Sequence, residues 1–525
     1  MTRLPSVFPA LGVLLVAAGV TAGAAVLPAR SPSLRSVRQA LPVSLTTPSL
    51  VCPGPETLLV PDGGQPADPG APVLIRALLA VPSEAASAQL KLLGEALPSG
   101  PGTALPEGTV TARDLQLDAG SGATSIGTLA GTRLGPAELR TTSDPGSITD
   151  PKQAPMLAGV QSTLARTGNL RGLTATACTA PQPDSWLVGG ATGDGERLRL
   201  LLANPGAAPA VADLDVYGPD GKVSAPSGDG VLVAPGAEVP IFIDALAPGL
   251  DAVAVHVTTR SGRVRATLHD SLLRGLTPSG ADDVPVGTAP AKRQVIPGVS
   301  LINAYTKTAG DPNAAGSTSL RVAVPGSEEA VVRIRLLDST GPVELPRTAV
   351  VSVPAGGVVD VPVSGLPSGT YTAVVDADVP IVAAARVGRP GSVGAVKAAE
   401  FGWAGSVAPL TGAGYAALPP GTRSTLSLGA IKDAGRLVVT EVRSDGTFGP
   451  PIDVSVPARG SATVQIADPA VAIRIDQLGG GPVAASIVST ATDPRGQLIS
   501  VLPVAPASAS VPPEAAVLDS RLGLR

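Results

Sequence analysis

Four glycine-marked turns recur at one constant offset, and this recurrence constrains the fold of the 525-residue chain more than any other feature. Pro205-Gly206 matches Pro325-Gly326, and Gly221 in GPDG matches Gly341 in DSTG. Gly236 in VAPG matches Gly356 in VPAGG, and Gly249 in LAPG matches Gly369 in LPSG. Each second member stands 120 positions after the first (206→326, 221→341, 236→356, 249→369). Glycine enters the left-handed backbone region without a steric penalty, so turns that need it fix strand lengths and register. The intervening strands correspond as well, with AVADLDVY (210–217) lying over AVVRIRLL (330–337). A looser third copy has RSDG (443–446) in place of DSTG and VPARGSATV (456–464) in place of VPAGGVVDV (353–361). A divergent copy precedes the pair. Its closing hairpin LARTGNLRGLTA (164–175) resembles TTRSGRVRATLH (258–269), with Gly168 aligned to Gly262. Its opening CPGPETLLV (52–60) resembles CTAPQPDSWLV (178–188).

Between these turns the chain alternates apolar and polar residues, as in LRLLLA (198–203), VADLDVY (211–217), VVRIRLL (331–337), RLVVTEV (436–442) and AIRID (472–476). Short alternating runs with frequent turn signals predict an all-β chain of tandem antiparallel, immunoglobulin-like β-sandwich units. The expected units are 41–178, 179–276, 294–390 and 404–505. Residues 277–293 read as an extended Pro/Gly/polar linker, and 506–525 as a disordered tail. The one helix candidate beyond the N-terminus is SEAASAQLKLLGEAL (83–97), with Ser83 as N-cap.

Residues 1–40 carry a different signal. Val7 to Leu27 is apolar or small throughout, long enough for a bilayer core of ~30 Å, and Arg3 supplies a positive start. Ala22-Gly23-Ala24 fits a cleavage site, so the segment reads as a hydrophobic helix serving as signal peptide or retained membrane anchor. Arg30, Arg35 and Arg38 bias orientation toward a cytoplasmic C-terminal side. Long domains translocate largely regardless of such charges, and the expectation is an extracytoplasmic protein with residues 31–525 outside.

Cys52 and Cys178 are the only cysteines, one opening and one closing the first unit, each at the start of a strand. An even pair in an exported chain suggests one disulfide, with a stabilisation on the order of 4–5 kcal/mol from loop closure.

The same sparseness limits chemistry. His256 and His269 are the only histidines, so a His-Glu-x-x-His zinc helix is impossible. No Gly-x-Ser-x-Gly elbow or phosphate-binding Gly-x-x-x-x-Gly-Lys-Ser/Thr loop is present, and no lysine has a serine three residues before it. His269-Asp270-Ser271 imitates a triad, but strand neighbours face opposite ways, so it reads as a solvated strand end. His256, in the alternating run AVAVHVTT, reads as an outward residue on a sheet face. Asp62 with Asp68, Asp194 with Glu196, and Asp282 with Asp283 read as solvated turns, short of the oxygens a calcium site needs. Trp186 and Trp403 are expected as anchors packed between units. Net charge is −4 and spread along the chain, which gives no electrostatic case for nucleic acid. No catalytic residue, metal site or cofactor is assigned. Arginine far outnumbers lysine, which reads as a compositional bias of little mechanistic content.

The segments LVCPGP (50–55), GNLRGL (168–173) and Cys178…WLVGG (186–190) resemble an uncharacterised actinobacterial family of exported or membrane-anchored proteins with a domain of unknown function. The resemblance covers most of residues 40–505 and implies export and the pairing of Cys52 with Cys178. It implies no activity or ligand. The function expected is that of a non-enzymatic cell-envelope scaffold, spacer or partner-binding module. Its partner would be an envelope protein or a cell-wall component. The alternatives are a cell-wall glycan-binding protein, disfavoured by only ten aromatic residues (four Phe, four Tyr, two Trp), and a hydrolase with an unrecognised carboxylate site.

Overall fold

The computed structural model describes residues 49–55, 71–82, 84–93, 109–110, 114–131, 134–142, 154–302, 316–346, 349–391, 398–410 and 412–504. The Val7–Leu27 segment, Ser83 and residues 94–97 of the helix candidate, the 506–525 tail, and Asp62 with Asp68 lie outside them. Among the described residues no helix is long and apolar enough to cross a membrane.

Alternation decides the secondary structure. In Ala330–Leu337 the side chains of Ala330, Val332, Ile334 and Leu336 are buried and Val331 and Arg333 are exposed, the period-2 pattern of a half-covered strand. Strands of this kind assemble into antiparallel sheets that face one another in pairs over four apolar cores. In the first sandwich, Ser49–Cys52, Ala137–Thr141, Ala86–Leu92 and Asp114–Ala119 face the sheet built on Thr124–Gly131, Val73–Ala80, Met156–Ala165 and Gly172–Ala177. The short strand Thr109–Val110 pairs in parallel with Thr124–Gly131, a departure from the antiparallel rule. In the second, Asp184–Val188, Ala254–Ser261 and Ala210–Gly218 face Ala237–Phe242, Glu196–Asn204, Arg265–Arg274 and Thr277–Val284.

The third sandwich turns on one 21-residue strand, Gly369–Arg389. Its first part pairs with Ala291–Leu301 and Ala330–Leu337. Its second part pairs with Ser319–Ala323 and Glu400–Gly405. In the fourth, Ala413–Ala417, Ala472–Gly480, Gly435–Val442 and Phe448–Val456 face Gly460–Gln465, Arg423–Ala430, Val483–Ala491 and Leu498–Pro503.

The repeat is visible in the register. Ala210 pairs with Val233 and Ala330 with Val353; Leu202 pairs with Val239 and Val322 with Val359. Both partners shift by 120. On the return strand Leu214 pairs with Val257 and Ile334 with Val375, so the partner shift has become 118 (257→375). The third sandwich is therefore shorter between these strands, and Gly249 is not matched by Gly369. Gly249 has φ 77°, whereas Gly369 opens a strand and the left-handed turn falls on Gly365, φ 79°. Gly206 and Gly326 also lie outside the left-handed region, so two pairs, 221/341 and 236/356, carry the conformational requirement. Gly168 and Gly262 share a positive φ but different roles. The first lies in a hairpin within one sheet, while the second crosses from one sheet to the facing one.

Two expected elements are corrected. The helix candidate 83–97 contains the strand Ala86–Leu92, in which Ala86, Ala88, Leu90 and Leu92 alternate onto the core. Helical propensity yields to burial of one pleated face. The linker 277–293 is instead largely sheet. Thr277–Val284 returns along Arg265–Arg274, and Ala291–Leu301 already belongs to the third sandwich. The disulfide Cys52–Cys178 is formed, with Cα atoms 4.3 Å apart, but both cysteines stand at strand ends rather than starts.

The sandwiches do not follow one another as separate beads. The first packs against the fourth through Leu78, Ala80 and Ala158 with Tyr415, Val442 and Ala472. Arg76 Nη1 of the first donates to the Leu418 carbonyl of the fourth at 2.7 Å.

Candidate functional site

The ionisable side chains converge where the sandwiches meet. Among the described residues seven arginines are buried, at positions 76, 171, 199, 265, 321, 386 and 389, together with Asp270, Asp282, Asp283, Glu400 and Asp493, and no lysine joins them. Lysine's ammonium is strongly hydrated, while arginine offers a planar fork that can satisfy several carbonyls and carboxylates under cover.

Asp282 is the hub. It lies on Thr277–Val284, opposite Asp270, and is 1% exposed. Its Oδ2 accepts from the Trp403 backbone N–H at 2.8 Å, and its Oδ1 lies 2.9 Å from Ser500 Oγ of the fourth sandwich. The Ala175 N–H of the first sandwich reaches the same Oδ1 at 3.4 Å. Burial pushes the Asp282 carboxyl well above the usual range, and Asp283 beside it adds to the push. The bonding agrees with a neutral group. The Ser500 hydroxyl has one proton and lies 3.1 Å from the Ala175 carbonyl, which can only accept. A proton on Asp282 Oδ1 completes the chain Asp282 to Ser500 to Ala175.

Around this hub the contacts divide by face. On one face of Arg265–Arg274, Asp270 Oδ2 accepts from Trp403 Nε1 at 2.8 Å, while its Oδ1 makes no bond. Burial, with the nearby Glu196 charge, raises Asp270 to about 8. Arg321 stacks over Trp403, 5.0 Å from the ring centroid. Its fork binds Asp360 at 2.6 and 2.8 Å and reaches the Gly190, Asp251 and Val253 carbonyls of the second sandwich. On the opposite face His269 Nδ1 pairs with Asp283, and His269 Nε2 donates to the Gly54 carbonyl of the first sandwich at 3.3 Å. Arg265 Nη2 reaches the Ala177 carbonyl at 3.3 Å, and burial lowers this guanidinium to about 10. At the far end Arg171, wholly buried, donates to Asp493 at 3.0 Å and the Gly496 carbonyl at 3.2 Å, with Glu400 at 3.6 Å. Burial drives Glu400 well above the usual range despite Arg171.

Several expectations change here. His269-Asp270-Ser271 is not a solvated strand end but fully covered on both faces, because the first and third sandwiches close over it. Its opposite-facing geometry holds: His269 and Asp270 reach different sandwiches and share no substrate position. Asp282 and Asp283 are buried strand residues rather than a solvated turn. Glu196 begins a strand, and burial raises its carboxyl, while Asp194 stays exposed in its turn. Trp403 is the inter-sandwich anchor expected of it. Trp186 is also buried, but it stacks on His256 of its own sandwich at 4.1 Å, and His256 faces outward toward Asp184. Among the described residues no group of three His, Cys, Asp or Glu side chains could hold a metal ion. The cavity beside His269 and Asp283 is about 30 Å³, enough for about two water molecules.

The raised carboxyls make stability pH-dependent. Between about pH 4 and 8 the folded chain keeps a proton on Asp270 that the unfolded chain has released, so rising pH works against folding by up to tenfold per unit. Asp282 and Glu400 act in the same direction. Asp493 opposes them. Burial alone would raise it, but the Arg495 amide and Arg171 hold it low, and its contribution is lost only as pH falls below the usual carboxylate range. The urea midpoint should therefore rise from pH 8 to pH 5, and Asp270→Asn should flatten the slope. A midpoint that is flat or falls on this acidification contradicts the assignment.

A second cavity, about 190 Å³, lies between the third and fourth sandwiches and is lined by Arg293, Arg335, Lys432 and Arg459. The sequence reading missed it, since its lining residues are scattered over five separate segments.

A family of unknown function (DUF5719) matches residues 146–467. The match takes in Arg171, Asp270, Asp282, Glu400 and Trp403 and stops short of Asp493 and Ser500. No curated protein matches the chain.

Proposed function

The chain belongs to the DUF5719 family, and on that footing we propose a non-enzymatic, exported cell-envelope protein that serves as a scaffold or partner-binding body. One observation carries this reading. The side chains most capable of acid–base chemistry, His269, Asp270 and Asp282, are buried at the junction and bond to backbone and side-chain partners across it, although Asp270 Oδ1 is left without a bond. A general acid or base must reach a substrate proton, and a cavity of about 30 Å³ beside His269 holds about two waters and leaves no room for a substrate. The packing of the first sandwich on the fourth favours a scaffold over an extended spacer, because the chain folds back on itself. Glycan recognition by stacked aromatics finds little support. Trp186, Tyr217, Tyr371, Phe401, Trp403 and Tyr415 are all buried, and Phe448 is the one large aromatic among the described residues with an exposed ring.

The export part rests on the 7–27 segment and on a disulfide that persists in oxidising compartments. Protease added to intact, wall-stripped cells should digest the protein together with an extracytoplasmic control. Crosslinking on the same cells should recover an envelope partner. Protection from protease overturns the location, and turnover of a wall substrate by the purified chain overturns the non-enzymatic reading.

A further inference from the structure

The 190 Å³ cavity is built from one face of the third sandwich and two turns of the fourth. On Ala330–Leu337, Ile334 and Leu336 point into the core, so Arg335 and Leu337 point out, and on Gly369–Arg389 Val374 alternates outward in the same way. Arg293 extends from the neighbouring strand. Over this face lie the turn carrying Ile431 and Lys432 and the turn carrying Arg459. Ser461 fixes the second turn in place, its N–H donating to the Asp338 carbonyl at 2.7 Å and its hydroxyl to the Leu337 carbonyl at 2.8 Å.

Three features make this more than a basic surface. Among the described residues no carboxylate lines the cavity; Asp376 bridges Arg293 and Arg335, and no ion pair joins Lys432 or Arg459 to an acidic side chain. Arg335 Nε is buried and donates to nothing. A covered donor on a charged group costs free energy unless a ligand completes it. Arg459 is the one described non-glycine residue with a left-handed backbone, at φ 52°. The matching turns of the second and third sandwiches place Gly236 and Gly356 there, at φ 65° and 67°. The fourth sandwich thus accepts a steric penalty that its relatives avoid, and gains a guanidinium over the cavity.

We propose that this cavity binds a phosphate ester of a small polyol or sugar. Arginine forks and a lysine charge suit an anion with several oxygens better than a single carboxylate. Leu337, Val374 and Ile431 form an apolar wall for the carbon part. The volume is below the ~300 Å³ at which pockets for drug-sized ligands begin, so it suits a headgroup or one repeat of a phosphate-bearing polymer. This site stands independently of the scaffold reading.

Calorimetric titration of the full chain tests it with glycerol 3-phosphate, inorganic phosphate and glycerol, against sodium chloride at matched ionic strength. Saturable binding of glycerol 3-phosphate is expected, weaker binding of inorganic phosphate, and none of glycerol. Lys432→Gln and Arg459→Gly should each weaken the ester at least tenfold. Both side chains are exposed and the second change relieves the backbone, so unchanged or higher urea midpoints verify folding. Ester binding no stronger than the chloride control, affinity untouched by either substitution, or inorganic phosphate binding as tightly as the ester would overturn the proposal.

Discussion

Arg171→Met is expected to lower folding stability by about 3–5 kcal/mol, the cost of breaking a buried ion pair from one side. The side chain is 0% exposed and joins the hairpin of the first sandwich to Asp493 and the Gly496 carbonyl of the fourth, with Arg166 of the same hairpin donating to the Thr492 carbonyl beside it. The two carboxylates around it should respond differently. Glu400 is already driven upward by burial and can take up a proton when Arg171 is gone. Asp493 is held low by the Arg495 amide and by Arg171 against the upward push of burial, and would stay charged with one of these partners gone. Glu400→Gln should accordingly cost about 1 kcal/mol, the scale of one ordinary hydrogen bond. Urea titrations of the two variants separate these effects. A loss under about 1 kcal/mol for Arg171→Met, or equal losses for both, would show that the junction is not held by this arginine.

What the sequence could and could not disclose follows from how far each determinant reaches. Turns at Gly221, Gly341, Gly236 and Gly356 are local, because a left-handed backbone needs glycine whatever surrounds it, and they located the repeat and its strands. Strand alternation is local too, and it held even in 86–92, where helical propensity pointed the other way. The hub was not local. TPSGADDV (277–284) has the composition of a loop, and it becomes a buried strand only because other sandwiches cover it. The partners of Asp282 lie 107, 121 and 218 positions away, a spacing that no motif encodes. One signal was present and set aside. The preference for arginine over lysine, read as compositional bias, coincides with seven buried arginines, several of which staple one sandwich to the next. At the turn 456–460 the substitution of Arg459 for the glycine of the other copies was likewise legible as a departure from the repeat, although its cavity was not.

Removing the disulfide, by Cys52→Ser with Cys178→Ser or by reduction, is expected to cost about 3–5 kcal/mol and to act first on the first sandwich. The bond joins residues 126 positions apart, a span over which loop closure in the unfolded chain is entropically expensive. Its context adds to the effect. The core of this sandwich leans on small residues, Ala77, Ala86, Ala88, Ala119 and Ala137, so both cysteines contribute to the packing itself. Cys178 also sits directly over Gly159, where a Cβ atom would come within 2.9 Å of its sulfur. Gly159→Ala should therefore disturb the bond without touching either cysteine. Cys52 is 0% and Cys178 5% exposed, so reductant should act slowly on the folded chain and quickly once urea opens it. Limited proteolysis of the reduced chain should cut within residues 49–178 before it cuts the other three sandwiches. Equal urea midpoints for the oxidised and reduced chains would show that inter-sandwich contacts, Arg76 to Leu418 and Arg171 to Asp493 among them, hold the first sandwich without the bond.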